Sequence, residues 1–144
     1  MHNIDFSKLK KNDELNQYLK LLPGKKIVFT NGDEKYASKV LRSLGIIDNI
    51  DEIYDIKKGN YIPKPKIETY KNLINSYNIV PRKTIFFEDI EKNLKPAHDL
   101  GFTTVHIDFD LDVRRSKKQK KYIDFEFKCI KSALKMIIKF TKVN

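Results

Sequence analysis

Four short apolar runs, each followed by a stretch with helical spacing or by a turn, limit this chain to one broad class of fold. Lys26-Ile27-Val28-Phe29, Glu52-Ile53-Tyr54-Asp55-Ile56, Thr84-Ile85-Phe86-Phe87 and Thr103-Thr104-Val105-His106-Ile107 read as buried strands. After the first, Tyr36, Ala37, Val40, Leu41 and Leu44 recur at helical spacing, and Gly45 stands where a helix C-cap belongs. A loop with Gly59, Pro63 and Pro65 leads to Ile67, Tyr70, Leu73, Ile74 and Tyr77, and Leu94 and Ala97 precede Gly101. Strands alternating with helix-length connections imply an α/β fold with a mainly parallel sheet, helices covering both faces in three layers.

Composition narrows the class further. A chain of 144 residues with 40% apolar content can bury one core and is not disordered. The single cysteine, Cys129, excludes an internal disulfide framework or an all-cysteine zinc site, and reads as a buried small hydrophobe. No apolar run approaches the ~18 residues of a membrane span, and Met1-His2-Asn3-Ile4-Asp5 is no signal peptide. A cytoplasmic protein without a membrane partner is expected.

The net charge of +10 is concentrated in residues 113–144, which hold 11 basic and two acidic residues. Ile130, Ala133, Leu134, Ile137 and Ile138 form one face of a terminal helix, with Lys128, Lys131, Lys135, Lys139 and Lys142 opposite. This pattern suits a helix docked on the sheet with a solvated lysine face. Arg114-Arg115-Ser116-Lys117-Lys118-Gln119-Lys120-Lys121 reads as a solvated loop. Nucleic-acid binding through this tail is an alternative that rests on charge alone.

In an open parallel sheet, ligands sit beyond the carboxyl ends of the strands. The first strand ends in Thr30-Asn31-Gly32, where a hydroxyl and backbone N–H groups entering a helix can cradle a phosphate. The third ends in Glu88-Asp89, adjacent carboxylates that call for a positive partner such as Mg²⁺. Between them, Pro63-Lys64-Pro65 stiffens the backbone around one lysine, as suits an ammonium that must be aimed. His2, His98 and His106 are too scattered in sequence to suggest a site, and the last two read as structural.

Residues 20–107 resemble the haloacid dehalogenase (HAD) superfamily of phosphohydrolases, and more closely its pyrimidine 5′-nucleotidase-like branch. The resemblance is carried by Leu22 to Gly32, Tyr61-Ile62-Pro63-Lys64-Pro65, Ile85 to Asp89 with Asn93-Leu94, and Ala97 to Val105. It implies a Rossmann-like core in which Thr30 and the N–H of Asn31 bind the transferring phosphoryl group. It further implies that Lys64 neutralises charge on nucleophile and phosphate, that Glu88 and Asp89 hold Mg²⁺, and that Asn93 supports their loop. Phosphoryl transfer depends mostly on positioning and electrostatic stabilisation, which agrees with these roles.

The family's first motif, an Asp-x-Asp strand end carrying the nucleophile, has no counterpart before Thr30. Asp5 follows no apolar strand and has no second aspartate two residues on. Asp108-Phe109-Asp110-Leu111-Asp112 imitates the motif, but it follows the Glu-Asp pair and its strand already matches an outer strand of the family sheet; a solvated acidic loop is expected. The resemblance thus implies a chain that begins inside a HAD protein, lacking the first strand and most of the cap. A displaced start codon, a split gene or a degraded remnant would each produce it. Residues 1–22 then read as a cap remnant, 23–112 as the core, and 113–144 as a basic loop and docked helix. The expected ligand is a small phosphorylated molecule, nucleoside monophosphates included. A complementing N-terminal chain or a second copy of this one are the expected partners. The isolated chain should be inactive, with a non-catalytic phosphate-binding module as the alternative.

Overall fold

The computed structural model describes residues 10–112 and 120–143. They divide into two compact units, residues 10–61 with 134–143, and residues 62–112 with 120–133. The ladders in both are parallel, as expected for helix-length connections.

In the first unit, helix α1 (Asp13–Leu21) precedes strand β1 (Ile27–Phe29), helix α2 (Glu34–Ser43) and strand β2 (Glu52–Tyr54). Strand β1 pairs with β2 in register Ile27↔Glu52 to Phe29↔Tyr54, and the Phe29 and Tyr54 rings meet edge to face at 5.7 Å. Leu15, Ala37, Leu41, Ile46, Ile53 and Tyr54 are buried. Gly45 has φ +73°, and the N–H of Ile46 donates to the Leu41 carbonyl. This closes α2 with the left-handed cap that glycine adopts without strain.

The start of α2 is closed as firmly. Asp33 accepts from the N–H of Tyr36, and buried Asp55 accepts from the N–H groups of Glu34 and Lys58. Burial alone would raise the Asp55 pKa; these two N–H donors and the nearby Lys58 and Lys57 charges outweigh it and lower the pKa below 3.8. A depressed folded pKa stabilises the fold above the ordinary value and is lost as pH falls through the depressed one. Asp55→Asn should therefore flatten the loss of stability below about pH 4. Asp55→Ala should cost about 1–2 kcal/mol at neutral pH, as for a lost helix cap. Urea titrations across the acid range measure both.

The second unit holds helix α3 (Ile67–Tyr77), strand β3 (Ile85–Glu88), helix α4 (Leu94–Asp99), and strands β4 (Thr103–Ile107) and β5 (Phe125–Phe127). Its sheet order is β3-β4-β5. Strand β4 is therefore central in this sheet and not the outer strand that the resemblance implied, since β5 pairs on its far side. One face carries Val105 and Ile107 against Ala133, with Phe87, Phe127 and Ile130 packed on them. Tyr70 meets Phe86 at a tilt and Phe86 meets Phe102 edge to face, with centroids 5.6–5.7 Å apart. Helix α5 (Ile130–Val143) ends the described chain. Cys129, just before it, is half-buried rather than buried, and its Sγ lies 3.1 Å from Ser132 Oγ. The solvated loop expected at 114–121 lies outside the described residues as far as position 119.

Candidate functional site

The expected site residues fall into two groups, one in each unit. In the first, β1 runs into Thr30, whose N–H donates to the Tyr54 carbonyl and continues the parallel ladder. Thr30 Oγ1 accepts from the N–H of Gly32 at 3.0 Å, which curls the loop back on itself. The hydroxyl keeps its own hydrogen to donate. In the first turn of the helix that follows, the N–H groups of Glu34 and Tyr36 are already held by Asp55 and Asp33. What Thr30 and Asn31 can offer an anion is a hydroxyl and loop N–H groups.

The second group is built around a buried ion pair. Lys64 Nζ lies 2.8 Å from Glu88 Oε2, with side-chain exposures of 9% and 7%. The other oxygen, Glu88 Oε1, accepts from the N–H groups of Asp89 and Ile90 at 3.2 Å. Both Glu88 oxygens are therefore occupied within the chain. Lys64 is presented by the Pro63–Pro65 turn, with the N–H of Lys66 donating to the Pro63 carbonyl. Asp89 differs from its neighbour. It is exposed, and its carboxylate makes no hydrogen bond or ion pair among the described residues. A hard cation that retains most of its water is held by one or two such oxygen ligands, and the Asp89 carboxylate fits Mg²⁺.

Asn93 is 2% exposed, and its backbone carbonyl accepts from the buried Tyr70 hydroxyl at 2.6 Å. Burial first, and the Glu88 charge second, raise the Tyr70 pKa far above 10.0, so this phenol stays a donor. The side-chain Oδ1 of Asn93 is a buried acceptor without a hydrogen-bond partner among the described residues. The chain thus brings Lys64, Glu88, Asp89 and Asn93 together at the carboxyl end of β3. His106, read from sequence as structural, joins them: its Nε2 lies 3.0 Å from the Asp89 carbonyl oxygen. A third group, His106, Asp108 and Glu126, has one ligand atom from each residue within 4.8 Å of the others. Sequence reasoning missed it because Glu126 lies on the undisclosed strand β5.

Residues 3–101 match the haloacid dehalogenase-like hydrolase family. The chain belongs to that family. Its fold is similar to that of L-2-haloacid dehalogenase from Xanthobacter autotrophicus, with a TM-score of 0.73 and 15% identity over 92% of this chain and 62% of that one. A HAD phosphatase from Thermococcus onnurineus is similar with a TM-score of 0.66 and 20% identity, over 85% of this chain and 54% of that one. A magnesium-bound HAD hydrolase from Bacillus subtilis is similar with a TM-score of 0.70 and 16% identity, over 88% and 55%. The chain thus spans less than two thirds of the length of these HAD proteins, and they establish its Rossmann-like α/β fold. No helix among the described residues is long and apolar enough to cross a membrane.

Proposed function

We propose that this chain carries the phosphate- and metal-binding part of a Mg²⁺-dependent HAD phosphohydrolase acting on small phosphomonoesters, pyrimidine nucleoside monophosphates among them, in the cytoplasm. The observation that carries this reading is the contrast at the end of β3, where Glu88 is fully engaged and Asp89 is not. Glu88 holds Lys64 in place, and Asp89 is left to take a cation. A lysine and a divalent ion suit a dianionic phosphoryl group, whose charge grows on its equatorial oxygens during transfer.

In this reading Thr30 donates its hydroxyl hydrogen to a phosphoryl oxygen, and the N–H of Asn31 assists. Lys64 Nζ neutralises charge on the phosphoryl group while Glu88 fixes its direction. Asn93, held by Tyr70, supports the loop that carries Asp89. Mg²⁺, when bound at Asp89, supplies charge neutralisation to the phosphoryl oxygens. The attacking carboxylate comes from none of these residues. A complementing polypeptide supplies it, and the chain alone is inactive.

The test is phosphate release from nucleoside monophosphates with Mg²⁺, by the chain alone and with an added HAD fragment bearing the Asp-x-Asp strand. No release alone, and release with the fragment that is lost in Lys64→Met and Asp89→Asn, is the expected outcome. Release by the chain alone that Asp108→Asn abolishes would show that the nucleophile is Asp108 and sink the inactivity. Vanadate binding with no release under either condition would favour a non-catalytic binding module instead.

A further inference from the structure

We propose that His106, Asp108 and Glu126 form a second metal site, for a divalent transition ion of the Zn²⁺ type. The fold brings them together through strand geometry. Alternation along a strand sets residues 106 and 108 on one face, and the β4–β5 register sets Glu126 beside His106. The opposite face carries Val105 and Ile107 and is packed with apolar side chains. Asp108 is anchored where β4 ends: its N–H donates to the Phe127 carbonyl at 2.9 Å, and its Oδ1 accepts from the N–H of Asp110 at 3.0 Å.

The imidazole supplies the independent observation. His106 is only 8% exposed, and its one hydrogen bond among the described residues is from Nε2 to the Asp89 carbonyl oxygen. A carbonyl oxygen only accepts, so Nε2 carries the hydrogen. In the neutral ring this leaves a lone pair on Nδ1, which accepts no hydrogen bond among the described residues. A histidine oriented by one N–H on a backbone carbonyl, with its other nitrogen unprotonated, is prepared as a metal ligand.

The donor set also selects the ion. One imidazole and two carboxylates suit Zn²⁺ and its neighbours, whereas Mg²⁺ prefers oxygen and water throughout. Bonds of about 2.0–2.2 Å would draw the three ligand atoms to roughly 3.3 Å from one another. From within 4.8 Å this requires modest side-chain rotation. Three protein ligands leave a fourth position open to water. The site is separate from the Asp89 carboxylate, which is not among its ligands, and does not depend on the phosphohydrolase reading.

The experiment is calorimetric titration of the metal-stripped full chain with Zn²⁺ at pH 7 in excess Mg²⁺, followed by Co²⁺ absorption and histidine NMR. One Zn²⁺ per chain, Co²⁺ bands of a four-coordinate site and a shifted His106 ring resonance are expected. Asp108→Asn and Glu126→Gln, at positions only partly buried, should each weaken binding by at least ~10-fold while preserving the circular dichroism spectrum. Absence of binding, displacement of Zn²⁺ by Mg²⁺, or unchanged affinity in either variant would overturn the proposal. An unmoved His106 resonance would overturn it too, assigning the cluster to a histidine that merely pairs with carboxylates.

Discussion

Replacing Lys64 by methionine is expected to destabilise the chain by about 3–5 kcal/mol, as when one partner is removed from a buried ion pair. Methionine fills a similar volume, so the loss comes from stranding Glu88 at 7% side-chain exposure with a single-sided set of donors, the N–H groups of Asp89 and Ile90. Replacing both partners at once, with Lys64→Met and Glu88→Leu, should recover much of the loss, because a well-packed apolar pair removes both desolvation costs. A double-mutant cycle by urea denaturation measures the coupling. If the single variant proved as stable as the parent, the pair would not be buried in solution and Lys64 would lack the rigidity its assigned role requires.

Tyr70 is the second position where a large effect is expected. It is fully buried, stacks on Phe86, and donates to the Asn93 carbonyl. Tyr70→Phe keeps the ring and removes only the donor, and should cost about 1–3 kcal/mol for an acceptor left unsatisfied. Tyr70→Ala removes the ring as well, and about 3–5 kcal/mol is expected from the cavity. Thermal denaturation of both variants separates the two contributions. The smaller change carries the functional information: it should loosen the turn after β3, read as faster amide exchange from Glu91 to Leu94, while leaving the amides of β4 protected.

The strands that were legible in sequence are those whose apolar runs are bracketed by glycine, proline or a helical pattern. Ile27–Phe29 and Thr103–Ile107 are of this kind, and the register of their neighbours follows from parallel pairing. Strand β5 was not legible, because the charge at the centre of Phe125-Glu126-Phe127 leaves no continuous apolar run. Missing it hid the partner that gives His106 and Asp108 a third ligand. The capping of α2 by Asp55 was hidden differently, since 21 residues separate Asp55 from Glu34 and no local pattern links them. Lys64 and Glu88 stood out as residue types at strand ends. That both Glu88 oxygens are consumed by the chain, leaving Asp89 as the available carboxylate, is a three-dimensional fact.

The sheet edges have a consequence for how the protein behaves as a solute. Strand β1 has β2 as its one neighbour, and β3 has β4, so each offers a row of backbone groups with no strand beside it among the described residues. Ile85 on β3 is 39% exposed. Such edges invite strand-to-strand association between molecules. The net charge of +10 opposes it by mutual repulsion. Salt weakens that repulsion, which acts at a distance, but hardly affects hydrogen bonds formed at contact. The basic residues concentrated in 113–144 thus act as its colloidal protection, and ionic strength sets how long it stays dispersed.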